Sequence, residues 1–321
     1  MKPDLIRFIF EEFKFIKSAK DVRNLYDKFP YLVPRVTGNY YRKRKAPLSL
    51  QIEPTNYCDV NCSCCSRDRM SRKKGTMEFK LFQKIIDDAA QNNLKRIHLY
   101  LHGEPLLHPK IIDMVRYIKT RRMGFQMATN GMRLDKANAN ALLRSGVDSS
   151  DHILFSILGH SREVHEMVMK GVKHDRVINN ISDFLELRKS LGINGPVIET
   201  VMYVMPENKN EEVEFLKYWR NVVDHVRRVG AISQQFAKFK NGDNSVPLRK
   251  KTCKNLWERM TIYWNGDVTI CCADLDGRHI LGNLEEKSIQ EIWNCNQLEA
   301  IKKLHREKQF RDLALCSNCD W

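Results

Sequence analysis

Between residues 48 and about 240 the chain alternates short runs of β-forming apolar residues with longer stretches whose apolar positions recur at helical spacing. Strands are expected at LSLQIEP, RIHLYLH, FQMAT, HILFSIL and PVIETVMYV. Helices are expected at FKLFQKIIDDAAQNN, PKIIDMVRYIKTRR, KANANALLRSG, RVINNISDFLELRKSLG and NEEVEFLKYWRNVVDHV. Such alternation indicates βαβ units on a parallel sheet. About five or six units fit before residue 245, fewer than the eight of a closed barrel. Ahead of them, LIRFIFEEFKFIK and AKDVRNLYDKFPYLV read as helical pieces that end in the basic run Arg42, Lys43, Arg44, Lys45. That run suits a solvated surface or an arm for an anionic partner. Behind them, NGDNSVPLRKK reads as a linker. Next, MTIYWNGDVTIC reads as a hairpin turning at Asn265-Gly266, and SIQEIWNCNQLEAIKKLHR as one helix. The expected organisation is an N-terminal helical and basic extension (1–47), an α/β core (48–240) and a small C-terminal hairpin-and-helix domain (241–321).

Composition narrows this picture only slightly. With 321 residues, 42% of them hydrophobic, the chain can pack one large domain and a small one. Fifty-four Lys and Arg against 39 Asp and Glu give a net charge of +15, which suits any polyanionic partner and selects none. No apolar run approaches the ~18 residues of a membrane span. The charged N-terminus lacks the apolar core of a secretory signal. A cytoplasmic protein without a membrane span is expected, and nucleic acid is not a favoured partner.

The ten cysteines change the picture more. They fall in two groups, at 58, 62, 64 and 65 and at 253, 271, 272, 295, 316 and 319. Reduced thiols so grouped point to metal binding. Cys58, Cys62 and Cys65 have a C-x3-C-x2-C spacing, which Cys64 fits less well than Cys65. Three thiolates can hold three irons of a cubane and leave one open, whereas structural zinc takes four ligands. In the second group, Cys253, Cys271, Cys316 and Cys319 supply four thiols. Zinc and iron–sulfur are equal candidates there on ligand type alone. Cys295 would sit mid-helix as a small buried residue, and Cys272 would be spare or a hydrogen-atom donor.

The triplet resembles the cluster loop of radical S-adenosylmethionine (SAM) enzymes. IHLYLHGEPLLHP is similar to that family's next strand and loop, through His102, Gly103, Glu104 and Pro105. FQMATNGMRL is similar to a further element, through Thr129, Asn130 and Gly131. This resemblance covers roughly residues 48 to 205. It implies an open, TIM-like partial (β/α)6 barrel with its reactive groups at the C-terminal ends of the strands. It also implies a [4Fe–4S] cluster on Cys58, Cys62 and Cys65 whose open iron binds SAM, and cofactor contacts from Gly103, Glu104, Asn130 and Ser156. The chain departs from the pattern at Cys64, Leu158 and Met169, with Lys170 next to the last as a substitute charge. The C-terminal segment resembles the SPASM/twitch domains of the same enzymes, which implies an auxiliary [4Fe–4S] cluster on Cys253, Cys271, Cys316 and Cys319.

Simpler roles stand beside these. Glu104 could cap its own loop, and His98, His102 and His108, candidates for an acid or base beside that loop, could instead satisfy backbone groups. Met123, Met127 and Met132 suit core or pocket filling. The function implied is a radical SAM iron–sulfur oxidoreductase. Its cofactor radical would abstract hydrogen from substrate, and its auxiliary cluster would accept an electron. Oxidation of a sugar or cyclitol alcohol to a ketone, as in 2-deoxy-scyllo-inosamine dehydrogenase-type enzymes, is the first expectation. Modification of a ribosomal peptide is the alternative. A small-molecule or peptide substrate and a reducing partner such as flavodoxin or ferredoxin are implied with it.

Overall fold

The computed structural model describes residues 44–230, 252–317 and 319. The expected N-terminal helices, the basic residues Arg42 and Lys43, and the linker ahead of Thr252 lie outside the described residues. The chain divides into two compact units, Met1–Arg44 and Lys45–Trp321. The second unit holds all of the described strands and helices.

Its strands are β1 (Ser49–Ile52), β2 (Asn61–Cys62), β3 (Arg96–Leu99), β4 (Gly124–Thr129), β5 (His152–Ser156), β6 (Met169–Lys170), β7 (Val197–Tyr203), β8 (His225–Val229), β9 (Arg259–Ile262), β10 (Asp267–Thr269) and β11 (Ile280–Asn283). Nine form one sheet in the order β11-β10-β9-β1-β3-β4-β5-β7-β8. The six strands from β1 to β8 in that order are all parallel, the open, partial barrel that the sequence implied. Helices intervene as α1 (Phe79–Gln91), α2 (Ile111–Thr120), α3 (Lys136–Leu143), α4 (Arg162–Val168), α5 (His174–Ser190) and α6 (Glu212–Trp219). In α1 the buried residues Leu81, Phe82, Ile85, Ile86 and Ala89 form one apolar stripe. Among the described residues, no helix is long and apolar enough to cross a membrane.

The C-terminal hairpin extends this same sheet. Strand β9 pairs in parallel with β1, from Ser49 opposite Arg259 to Ile52 opposite Ile262. Strands β10 and β11 then follow antiparallel. At the turn Gly266 has φ +85°, the left-handed region that favours glycine. The remaining helices are α7 (Asn255–Glu258), α8 (Ile289–Trp293), α9 (Asn296–Arg306) and α10 (Ala314–Ser317).

Three local expectations are corrected. The helix expected to run to Val226 stops at Trp219, where Asn221 Nδ2 donates to the Lys217 carbonyl. Residues His225–Val229 are instead the sixth parallel strand, because pairing with β7 satisfies their backbone groups. The single helix expected over SIQEIWNCNQLEAIKKLHR is two, α8 and α9. Asn294 caps the first by donating to the Gln290 carbonyl. Cys295 is the N-cap of the second and is half-buried, so it is not a core residue in a helix interior. Strand β11 had no counterpart among the expected elements.

Strand alternation gives the sheet two unlike faces. One carries Leu50, Ile52, Ile97, Leu99, Phe125, Met127, Ile153, Phe155, Ile198 and Met202, all essentially inaccessible. The other lines the barrel lumen with polar groups. His98 Nδ1 is 2.9 Å from Gln126 Oε1, and Gln126 Nε2 is 3.4 Å from His152 Nδ1. His152 Nε2 lies 3.0 Å from Glu199 Oε2, and Arg227 Nε donates to Glu199 Oε1 at 2.5 Å. Met123, Met127 and Met132 are all buried in the core, as filling residues would be.

Burial, helped by the nearby guanidinium of Arg259, pushes His98 down from 6.5 to about 3. An imidazole so held binds fewer protons folded than unfolded, so its contribution is whole above about pH 6.5 and is lost as pH falls toward 3. The maximum slope is about 1.4 kcal/mol per pH unit. His98→Gln should flatten the acid side of the stability curve in urea unfolding between about pH 7 and pH 4. An unchanged slope would show that His98 is not held neutral.

Candidate active site

The first cysteine group follows β1 and lies at the C-terminal mouth of the barrel. Three neighbouring segments fix its loop. The Glu104 N–H donates to the Tyr57 carbonyl at 2.8 Å, which holds the HGEP turn to the residue before Cys58. Asn130 Nδ2 donates to Asp59 Oδ1 at 2.8 Å, and Arg133 Nε to Asp59 Oδ2 at 2.9 Å. Strand β2, which contains Cys62, pairs antiparallel with β6, and the Ser63 N–H donates to the Val168 carbonyl at 2.8 Å. The short pairing with β6 had no periodic signal in sequence. It places Met169 in the core and Lys170 in solvent beside Asn61.

The motif residues are therefore brought together, but they do unlike things. Gly103 permits close approach, since a Cβ there would lie 2.1 Å from the Thr55 carbonyl oxygen. Glu104 is buried, and its carboxylate accepts from Thr129 Oγ1 at 2.7 Å, Asn130 N at 2.8 Å and Leu106 N at 3.1 Å. It caps its own loop and joins the HGEP and TNG turns. Burial pushes its carboxyl up to about 7 against the pull of those three donors. Asn130 is committed to Asp59 and to the Met132 N–H. Ser156 is half-buried at the end of β5, on the lumen face. His108 satisfies backbone groups at Met77 and Lys110, and His98 stays within the lumen ladder.

The Cys62 thiol is pushed well above its ordinary value by burial and by the neighbouring Cys64, Cys65 and Cys58. Burial also lifts Cys58 to about 11. Such buried, mutually repelling thiols suit a cationic iron core that takes them as thiolates. Among the described residues, no three His, Cys, Asp or Glu side chains are grouped as a single metal ion would hold them. A cubane instead binds each thiolate to a different iron. Cys64 is buried and lies near Tyr203 of β7.

The second group gathers Cys253, Cys271, Cys272, Cys316 and Cys319. The neighbouring Cys271 thiol holds the Cys272 thiol below its ordinary value against its burial, Arg259 adds to that effect, and Cys253 and Cys319 oppose it. Cys272 thus belongs among these thiols and is not remote from them. Cys316 and Cys319 are buried and joined by a Cys319 N–H to Cys316 carbonyl bond of 3.1 Å. The charge of Arg259 also acts on Tyr100 on the lumen face, so it adjoins both the lumen and the second thiol group.

One side-chain group that sequence reasoning missed joins the two sites. Glu53, fully buried just after β1, accepts from both terminal nitrogens of Arg72 at 2.9 and 3.1 Å and from the Trp264 N–H at 3.3 Å. His102 Nδ1 is 3.2 Å from Glu53 Oε1, and its Nε2 donates to the Cys272 carbonyl at 3.0 Å. Arg72 Nε donates to the Leu275 carbonyl, and its guanidinium carbon lies 3.6 Å over the Tyr263 ring. Burial raises the Glu53 pKa, but the hydrogen bonds of His102 and Arg72 outweigh it and hold the carboxyl below its ordinary range. The only sequence signal was an acid directly after an apolar strand, which names no partner.

Comparison with known proteins agrees with this geometry. Residues 52–218 match the model of the radical SAM superfamily, and residues 253–320 that of the SPASM iron–sulfur cluster-binding domain. A tungsten-containing aldehyde ferredoxin oxidoreductase cofactor-modifying protein of Pyrococcus furiosus is 25% identical over 320 residues, covering 85% of this chain and 88% of that protein. PqqA peptide cyclase of Gluconobacter oxydans is 23% identical over 286 residues, 78% of each chain. The crystal structure of Streptococcus suis SuiB bound to precursor peptide SuiA shares the fold at a TM-score of 0.66 and 18% identity, covering 88% of this chain and 71% of that one.

Gly103→Ala should part the HGEP turn from the cluster loop. Binding of SAM to the anaerobically reconstituted chain should weaken by at least about tenfold, or ~1.4 kcal/mol, in calorimetry, with circular dichroism unchanged. Undiminished affinity would show that the close approach is dispensable.

Proposed function

The chain belongs to the radical SAM superfamily and carries a SPASM iron–sulfur domain, and from that membership we propose that it oxidises a peptide substrate at an unactivated C–H bond within the barrel lumen. The observation that carries this reading is one lumen flanked by both thiol groups. The three-thiol loop stands at its mouth, and Arg259 adjoins the lumen residue Tyr100 on one side and Cys272 on the other. When bound, the clusters and SAM supply a 5′-deoxyadenosyl radical that takes a hydrogen atom and an acceptor for the electron left behind.

The chain's own residues do the rest. Cys58, Cys62 and Cys65 hold the first cluster, and Gly103 lets the HGEP backbone close over the loop. Glu104 and Asn130 act by holding that backbone in place, and Ser156 faces the site from β5. Cys253, Cys271, Cys316 and Cys319 hold the auxiliary cluster, with Cys272 beside them. The imidazole–carboxylate pair of His152 and Glu199 lies on the lumen face and is available to take the departing proton. Residues 48–240 are thus assigned to SAM chemistry and 241–321 to the auxiliary cluster. Flavodoxin or ferredoxin in the cytoplasm would supply electrons.

The named relatives shift the substrate expectation from a cyclitol alcohol toward a peptide. One is a peptide cyclase and another is a fold neighbour crystallised with its precursor peptide. With SAM, reductant and a candidate precursor peptide, the chain should form 5′-deoxyadenosine and a peptide lighter by two hydrogens, read by mass spectrometry. Deuterium passing to 5′-deoxyadenosine from a labelled cyclitol, with no change in any peptide, would instead restore the alcohol reading. Cys58→Ala, Cys62→Ala or Cys65→Ala should abolish 5′-deoxyadenosine formation. Cys316→Ala or Cys319→Ala should remove about four irons per chain while sparing some SAM cleavage. Unchanged iron content in the latter pair would refute the auxiliary-site assignment.

A further inference from the structure

His305 lies in the last turn of α9 and is completely buried. Its Nδ1 accepts the Cys253 N–H at 3.3 Å, so in the neutral ring the proton resides on Nε2. That Nε2 lies 3.4 Å from Cys316 Sγ, at a distance suited to an N–H···S hydrogen bond. The ring cannot easily turn away. Phe310 packs at 5.0 Å between centroids with an interplanar angle of 56°, and Trp257 edge-on at 6.3 Å. Thr252 Oγ1 holds the backbone by donating to the His305 carbonyl at 3.1 Å. One imidazole therefore ties the backbone of one proposed cluster ligand to the sulfur of another.

We propose that His305 is a positioning residue that donates Nε2–H to the Cys316 thiolate and thereby raises the reduction potential of the auxiliary cluster. This rests on the assignment of Cys316 as a cluster ligand. Reduction adds negative charge to the iron–sulfur core and its thiolates. A donor aimed at a ligand sulfur stabilises that charge more in the reduced form than in the oxidised form. The direction suits a centre that must take an electron from a substrate radical. Nothing in the sequence marks His305, which reads as one more polar residue at the end of an amphipathic helix.

The test uses the full chain, reconstituted anaerobically, with iron analysis and a redox titration followed by electron paramagnetic resonance. Wild type should hold about eight irons. His305→Leu should keep them, with the auxiliary midpoint shifted negative by a tenfold or greater change in the reduction equilibrium, about 59 mV for one electron. The SAM-binding cluster should be unmoved. His305→Gln, whose amide can still donate, should recover part of the shift. Wild type should also show an exchangeable proton coupled to the reduced auxiliary cluster, a readout that needs no variant. An unmoved midpoint in His305→Leu, or no exchangeable coupling in wild type, overturns the proposal. Loss of about four irons in both variants overturns it too, by making His305 a ligand or a scaffold. Four irons or fewer in wild type would refute the Cys316 assignment itself.

Discussion

The buried carboxylate of Glu53 is the constraint on which the arrangement of the two thiol groups depends. It sits where β1 ends and the cluster loop begins, and it meets Arg72 through both terminal guanidinium nitrogens. A carboxylate taken wholly out of water is tolerated only with its charge balanced and its oxygens hydrogen-bonded. Arg72 does both, His102 Nδ1 lies 3.2 Å from the same carboxylate, and each of the two also reaches the C-terminal segment, at Leu275 and Cys272 respectively. Loss of either partner of such a buried pair typically costs about 3–5 kcal/mol, because the other is left uncompensated. The cluster loop, the HGEP turn and the segment after β10 are therefore held by one polar node as well as by the β1–β9 pairing.

This arrangement explains how a chain with polar lumen walls positions a reactive centre. The apolar face of the sheet is taken up by helix packing. The lumen face is left free for a ladder from His98 through Gln126 and His152 to Glu199 and Arg227. At the mouth, rigidity comes from hydrogen bonds that cross between loops. Asp59 receives Asn130 and Arg133, and Glu104 receives Thr129, Asn130 and Leu106. Loops so constrained can hold a cofactor within the narrow tolerance that hydrogen abstraction demands.

Much of this was legible in the sequence, and the reasons are physical. Alternating apolar periods revealed five of the six parallel strands, and cysteine spacing marked both thiol groups. The sixth strand was lost because His225–Val229 is polar on both faces, and only its pairing with β7 makes it a strand. The break between α8 and α9 was lost because a one-residue N-cap at Cys295 leaves the apolar period almost undisturbed. Glu53 with Arg72 and His102, Arg259 with Cys272, and His305 with Cys316 are pairings across the chain that no local pattern encodes. Glu104 was recognisable from its motif, but its three donors were not.

Two thiol groups of unlike coordination beside one lumen is the claim on which the functional reading stands. Electron paramagnetic resonance of the anaerobically reconstituted, reduced chain, recorded with and without SAM, tests it most directly. Two [4Fe–4S] signals should appear, and SAM should alter only the one that Cys58→Ala removes. A single signal, tightly held zinc, or spectra indifferent to SAM would contradict it.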